Sequence, residues 1–139
     1  MELTTIQIAG KEYPLSFSLG AAQKIISRYG SAEKMIEMLK KEGEEEKKIN
    51  EIVNILELLM SQGCAYKNYF EKDMPVPENA PVEEGKWIPL PAEAIKIALM
   101  IQDAEEIAKK IEECINRGSK KKVEAKEIKT GKNARTTQE

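Results

Sequence analysis

Apolar and polar positions alternate along the first seventeen residues and then shift to a helical period. In "LTTIQIAGKEYPLSFSLGAAQ", Thr4, Ile6, Ile8, Tyr13, Leu15 and Phe17 fall on one side of an extended chain. Thr5, Gln7, Glu12, Ser16 and the ring of Pro14 fall on the other. The pattern predicts a half-buried β-hairpin that pairs Ile8 with Tyr13, Ile6 with Leu15 and Thr4 with Phe17. Gly10-Lys11 then forms the turn, inside a wider loop from Ala9 to Glu12 that keeps Pro14 from forfeiting a ladder hydrogen bond. Pro14 marks the second strand as an exposed edge, open to another strand.

From Ser18 the period is helical. Ser18 is placed as an N-cap, Leu19, Ala22, Ile25, Ile26 and Tyr29 as the inward stripe, and Gly30 as the C-terminal stop. Ser31 starts a second helix with Met35, Ile36 and Leu39 inward, ending by Gly43. A third helix, from about Glu45 to Gln62, carries Ile49, Ile52, Val53, Ile55, Leu56, Leu58, Leu59 and Met60 and is the predicted centre of the core. Gly63 leaves open whether "GCAYKNYFEK" continues it. The stretch "DMPVPENAPVEEGKWIPLP" breaks every period with five prolines and reads as a long loop anchored by Trp87 and Ile88. A last long helix is expected between Pro91 and Gly118, with Ile97, Ile101, Ala104, Ala108, Ile111 and Ile115 on one side. Ile97 and Ile101 are assigned to packing against the third helix, whereas Ile111 and Ile115 lie where the helix is expected to outrun the body.

The fold class is therefore α+β and mostly helical: an N-terminal β-hairpin on a bundle of about four to five helices. One domain over residues 1–118 is followed by a basic, disordered tail over 119–139. The formal net charge of −2 conceals an asymmetry, because residues 119–139 carry a net +4 and the remainder −6. An acidic body is a poor ligand for phosphate backbones. The competing reading, a small nucleic-acid-associated regulator, would have to use the basic tail alone.

Candidate chemistry is sparse. The chain has no histidine, and Asp73 and Asp103 are its only aspartates. Glu44, Glu45 and Glu46 diverge around a helix axis and read as a solvated surface. The pairs Gly10-Lys11, Gly85-Lys86 and Gly131-Lys132 lie in no phosphate-loop pattern. Cys64 and Cys114, the two cysteines, fit neither a disulfide framework nor a zinc site. A thiol or Ser-Lys enzyme built on Cys64 is the weakest reading. No apolar run approaches the roughly 20 residues of a membrane span, and the start shows no signal-peptide pattern. The composition points to a non-enzymatic protein without cofactor or metal, working in the cytoplasm through surfaces offered to other proteins. The candidate surfaces are Ile111 with Ile115, and Met74, Val76 and Trp87 on the proline-rich loop.

The opening residues also carry a likeness. An apolar strand (Ile6 to Ile8), a Gly-Lys-Glu-Tyr turn (Gly10 to Tyr13), a Leu-x-Phe strand (Leu15 to Phe17) and a helix ending in Tyr29-Gly30-Ser31 resemble the tail assembly chaperones of long-tailed bacteriophages and prophages. The match covers the first third of the chain; beyond Lys40 it is one of architecture. The resemblance implies a non-catalytic protein of the bacterial host cytoplasm, absent from the mature virion. Such proteins coat the long helical tape measure protein and help recruit tail tube subunits. Many members are also made in a longer, frameshifted form, and Lys120, Lys121 and Lys122 are where A-rich slippery codons would sit. Apart from the resemblance, the helix that carries Ile111 and Ile115 is also a candidate surface for self-association into a homo-oligomer.

Overall fold

The computed structural model describes residues 3–130, with side chains through residue 117. The chain runs β1 (Thr4–Ile8), β2 (Lys11–Leu15), α1 (Leu19–Tyr29), α2 (Ala32–Lys40), α3 (Glu45–Phe70), β3 (Val82–Glu83), β4 (Lys86–Trp87), α4 (Ala92–Ala98), a 3-10 turn (Ile101–Asp103) and α5 (Ala104–Thr130). It is α+β and mostly helical, with the N-terminal hairpin packed on the helices.

β1 and β2 are antiparallel, pairing Thr4 with Leu15, Ile6 with Tyr13 and Ile8 with Lys11. The register is thus shifted by two residues from the expected one. A two-residue shift keeps every side chain on its side, so Ile6, Ile8, Tyr13 and Leu15 are still buried. The turn is Ala9-Gly10, with φ of 51° and 82°. Two successive positive φ values give the twist that a two-residue hairpin turn needs, and Gly10 supplies the second without steric penalty.

Helix caps fall where the hydroxyls and glycines stand. The Ser18 Oγ accepts from the Ala21 N–H at 3.1 Å and the Ser31 Oγ from the Lys34 N–H at 3.0 Å. Gly30, at φ 95°, donates its N–H to the Ile26 carbonyl. The inward side of α1 differs from expectation: Ala21 and Ile25 are buried, whereas Leu19 and Ile26 are exposed.

α3 runs unbroken through Gly63 and forms the spine of the core, with Leu56, Leu59 and Met60 fully buried. β2 lies directly on it. The Ser16 N–H donates to the Leu59 carbonyl at 3.0 Å, and Pro14 is fully buried instead of facing water.

The single helix expected from Pro91 to Gly118 is broken. Leu99 and Met100 are extended, and the Asp103 carboxylate accepts the Met100 N–H at 2.8 Å to start the next turn. The break resets the helical phase, so Ile97 and Ile101 are exposed and do not pack on α3 as expected. Ile95, Ile107, Ile111, Cys114 and Ile115 are buried in their place. Gly118 does not end α5, whose backbone continues to Thr130.

The proline-rich stretch is pinned to the body. Asn68 grips Trp87 twice, accepting its N–H at 2.9 Å and donating to its carbonyl at 3.1 Å. The Glu12 N–H donates to the Asn79 carbonyl at 2.9 Å.

Candidate functional site

Three elements leave a cleft between them. α2 contributes Ile36, Leu39 and Lys40; the first turns of α3 contribute Glu45, Lys48, Ile49 and Ile52. The third wall is the 3-10 turn and the start of α5, with Ile101, Gln102, Ala104, Glu105, Ala108, Lys109 and Glu112. The cleft holds about 660 Å³. Local sequence explains why it stays open. Gly43 at φ 94° and Glu44 in the left-handed region reverse the chain between α2 and α3. Opposite them, Ala104 and Ala108 lie one helical turn apart and are too small to fill the gap.

The floor is apolar: Leu39 and Ile52 are buried, and Ile36 and Ile49 half-buried. Ile101, 72% exposed, stands at the lip, beside Ile97 and Met100, which are also exposed. The rim is charged with both signs, from Glu42, Glu45 and Glu105 to Lys48 and Lys109. Lys40 and Glu112 close one side with a 3.2 Å ion pair between α2 and α5. Both partners reach solvent, so the pair contributes at most about 1 kcal/mol. A groove with an apolar floor and a charged rim is the form that receives an amphipathic helix, whose anchors repeat every three to four residues. The lining offers carboxylates and amines but no hydroxyl, thiol or imidazole.

The residues singled out from sequence are distributed differently. Ile111 and Ile115, expected on a free helix surface, are 0% and 2% exposed. They cannot meet a partner in this structure, because α5 packs against β1 and α3 at that level and has not yet outrun the body. Met74 and Val76 are exposed. They follow the C-terminal end of α3, where Tyr69 and Phe70 are exposed too, with ring centroids 6.2 Å apart. Trp87 is half-buried, with the Lys67 ammonium 5.4 Å from its ring centre. Lys120, Lys121 and Lys122 lie outside the residues whose side chains are described. The cleft itself was missed because Ile36, Leu39, Ile49 and Ile52 read as ordinary core positions. The signal that could have found it is the run from Ile95 to Ile101, which carries more apolar side chains than one helix side can bury.

The thiols are inert by environment. Cys64 and Cys114 are buried, and loss of solvent pushes each up to about 12. A buried, protonated thiol is a poor nucleophile. Neither should react with a water-soluble disulfide reagent at neutral pH in the folded protein, and both should react in denaturant. Rapid titration of even one equivalent in the native state would contradict that placement.

Among the described residues no group of His, Cys, Asp and Glu could hold a metal ion, and no helix is long and apolar enough to cross a membrane. No family model, curated protein or solved structure matches the chain.

Proposed function

We propose that this protein is a tail assembly chaperone of a long-tailed phage or prophage, and that the cleft between α2, α3 and α5 holds amphipathic helical segments of the tape measure protein. The observation that carries the reading is the apolar floor of Ile36, Leu39, Ile49 and Ile52 continuing outward onto an unburied Ile101. The exposed cluster of Ile97, Met100 and Ile101 at its lip is apolar surface of the kind that marks a docking site for a partner. A long amphipathic client needs its stripes covered until it is assembled, and reversible docking does this without nucleotide hydrolysis. Tail tube subunits polymerising around the client would displace the chaperone by mass action. The protein would act in the host cytoplasm and be absent from the finished particle. The Lys120 to Lys122 run would mark the frameshift that appends a tube-binding extension.

The test is co-purification with the tape measure protein. Ile101→Glu and Ala108→Glu alter the lip and wall of the cleft without entering the main core. Full burial of one isoleucine is worth about 1.5–3 kcal/mol, so Ile101→Glu should weaken binding by roughly tenfold or more while leaving the melting temperature unchanged. Undiminished recovery of the client by both variants would dismiss the cleft as its seat.

A further inference from the structure

α5 carries two apolar sides of opposite character. Ile107, Ile111, Cys114 and Ile115 face the core and are buried. About a quarter turn round the same helix, Ala104 and Ala108 line the cleft one turn apart, and both are only half-buried. Alanines that let two helices approach closely are covered by the helix they admit. These two instead border the open space of the cleft, about 660 Å³, with Ile36 and Ile49 half-buried in the same lining. Large side chains on two walls and small ones on the third leave a hollow that the described residues do not fill. Close-packed interiors hold few such hollows, and a facing helix fills one by setting large side chains against small.

Charge does not make the choice of helix. Lys40 and Glu112 are paired with each other, and Glu42, Glu45 and Glu105 stand against Lys48 and Lys109 on the rest of the rim. An occupant of either sign finds a partner there, so size is left as the selective property.

We infer that Ala104 and Ala108 determine specificity: they make the cleft a seat for an amphipathic helix whose anchors, one turn apart, are leucine, methionine or phenylalanine. The selectivity rests on the cleft being a helix groove, as proposed above, and narrows which segments of a client it takes. A side chain of that size enters the hole between the alanines and the isoleucines across from them, as a knob does in a coiled coil. An alanine anchor leaves the hole void, which forfeits its own burial and the contacts of the lining. Along a long amphipathic client, the protein therefore sits where large anchors recur and leaves alanine-rich stretches uncovered.

Two synthetic amphipathic peptides of about five helical turns, long enough to hold a helix, test this. They are identical except for leucine or alanine at two central anchors, and titration calorimetry with the full chain reads their affinities. The wild type should prefer the leucine peptide by about tenfold or more. Ala108→Leu fills the hollow from the protein's own side. It should melt at or above the wild-type temperature, lose affinity for the leucine peptide by about tenfold or more, and bring the ratio between the two peptides towards one. Should that variant fail to fold, Ala104→Leu makes the same test one turn earlier. A ratio that neither variant changes overturns the inference, and so does a wild type that binds neither peptide. The tape measure protein separates this from the functional proposal. Where it co-purifies and Ile101→Glu loses it, but the peptide ratio ignores Ala108→Leu, the selectivity falls and the function stands. Where the peptides behave as expected but the tape measure protein is not retained by the wild type, the function falls and the selectivity stands.

Discussion

Gly63→Ala should be among the most destabilising single substitutions in this protein, although in an ordinary helix interior the same change adds about 1 kcal/mol of stability. A Cβ on residue 63 would lie 2.1 Å from the Pro14 carbonyl oxygen, 2.4 Å from its carbon and 2.9 Å from the Leu15 nitrogen. All three are backbone atoms, so no side chain can swing aside. α3 and β2 would have to separate, and the Ser16 to Leu59 hydrogen bond would break with them. Overpacking of this kind costs about 3 kcal/mol, a fall of roughly 10 °C in melting temperature for a domain this size. Gly20→Ala is the control. There the nearest atom is the Gln62 Oε1 at 3.2 Å, the end of a side chain that accepts the Ser18 hydroxyl and not a backbone atom, and the change should be close to neutral. Scanning calorimetry separates the cases, and a Gly63→Ala protein melting at or above the wild type would mean the hairpin is not seated on α3 as described.

Gly63 also shows where sequence reading stopped. A glycine in a helical stripe looks like a boundary because its local propensity is poor. Its actual reason is tertiary: a strand from the other end of the chain passes against it. The hairpin divides the same way. Side-chain alternation is local and gave the correct sides, but it cannot distinguish registers two residues apart. That choice rests on the Ala9-Gly10 turn, where an alanine accepts a positive φ of 51°, which sequence does not announce. The β3–β4 hairpin repeats the device at Glu84-Gly85, with φ of 51° and 79°. The caps at Ser18, Gly30 and Ser31 were legible because their chemistry is local.

The break between α4 and α5 was not legible, since spacing alone carries Ile97 and Ile101 smoothly into Ala104. Side chains fix the two helix starts instead. The Glu57 carboxylate on α3 accepts the Ala92 N–H at 2.7 Å, and Asp103 holds Met100. The break exposes Ile101 and opens the cleft. The candidate site was therefore hidden for the same reason as the break: it is made by where helices stop, not by which residues they contain.

Acidification should release one defined link between α1 and α3. Glu51, on α3 and 7% exposed, accepts the Arg28 Nε at 3.0 Å and Nη2 at 2.7 Å, and also the Tyr29 hydroxyl. The Arg28 hydrogen bonds hold its carboxyl below the usual carboxylate range, against the opposing effect of burial. A folded-state value below the unfolded one contributes stability at pH above the unfolded value, about 4.3, which is lost as pH falls through the folded value. Tyr29 works at the other limit. Burial first, and then its bond to Glu51, push its hydroxyl up to about 12, so its contribution is complete below about 10 and lost as pH rises through the folded value. Glu51→Gln keeps the shape but removes the charge, and should cost about 1.5–3 kcal/mol at neutral pH. Urea midpoints of wild type and Glu51→Gln should converge as the pH is lowered below the ordinary carboxylate range, where the wild-type carboxyl protonates. A gap that stays constant over that range would show the carboxylate charge contributes nothing. Arg28→Met alone leaves a buried carboxylate hydrogen-bonded only by Tyr29, with the Lys47 charge nearby, whereas Arg28→Met combined with Glu51→Leu removes both charges of the pair. The double variant should therefore be more stable than Arg28→Met, since an unpaired buried charge is worse than an apolar pair.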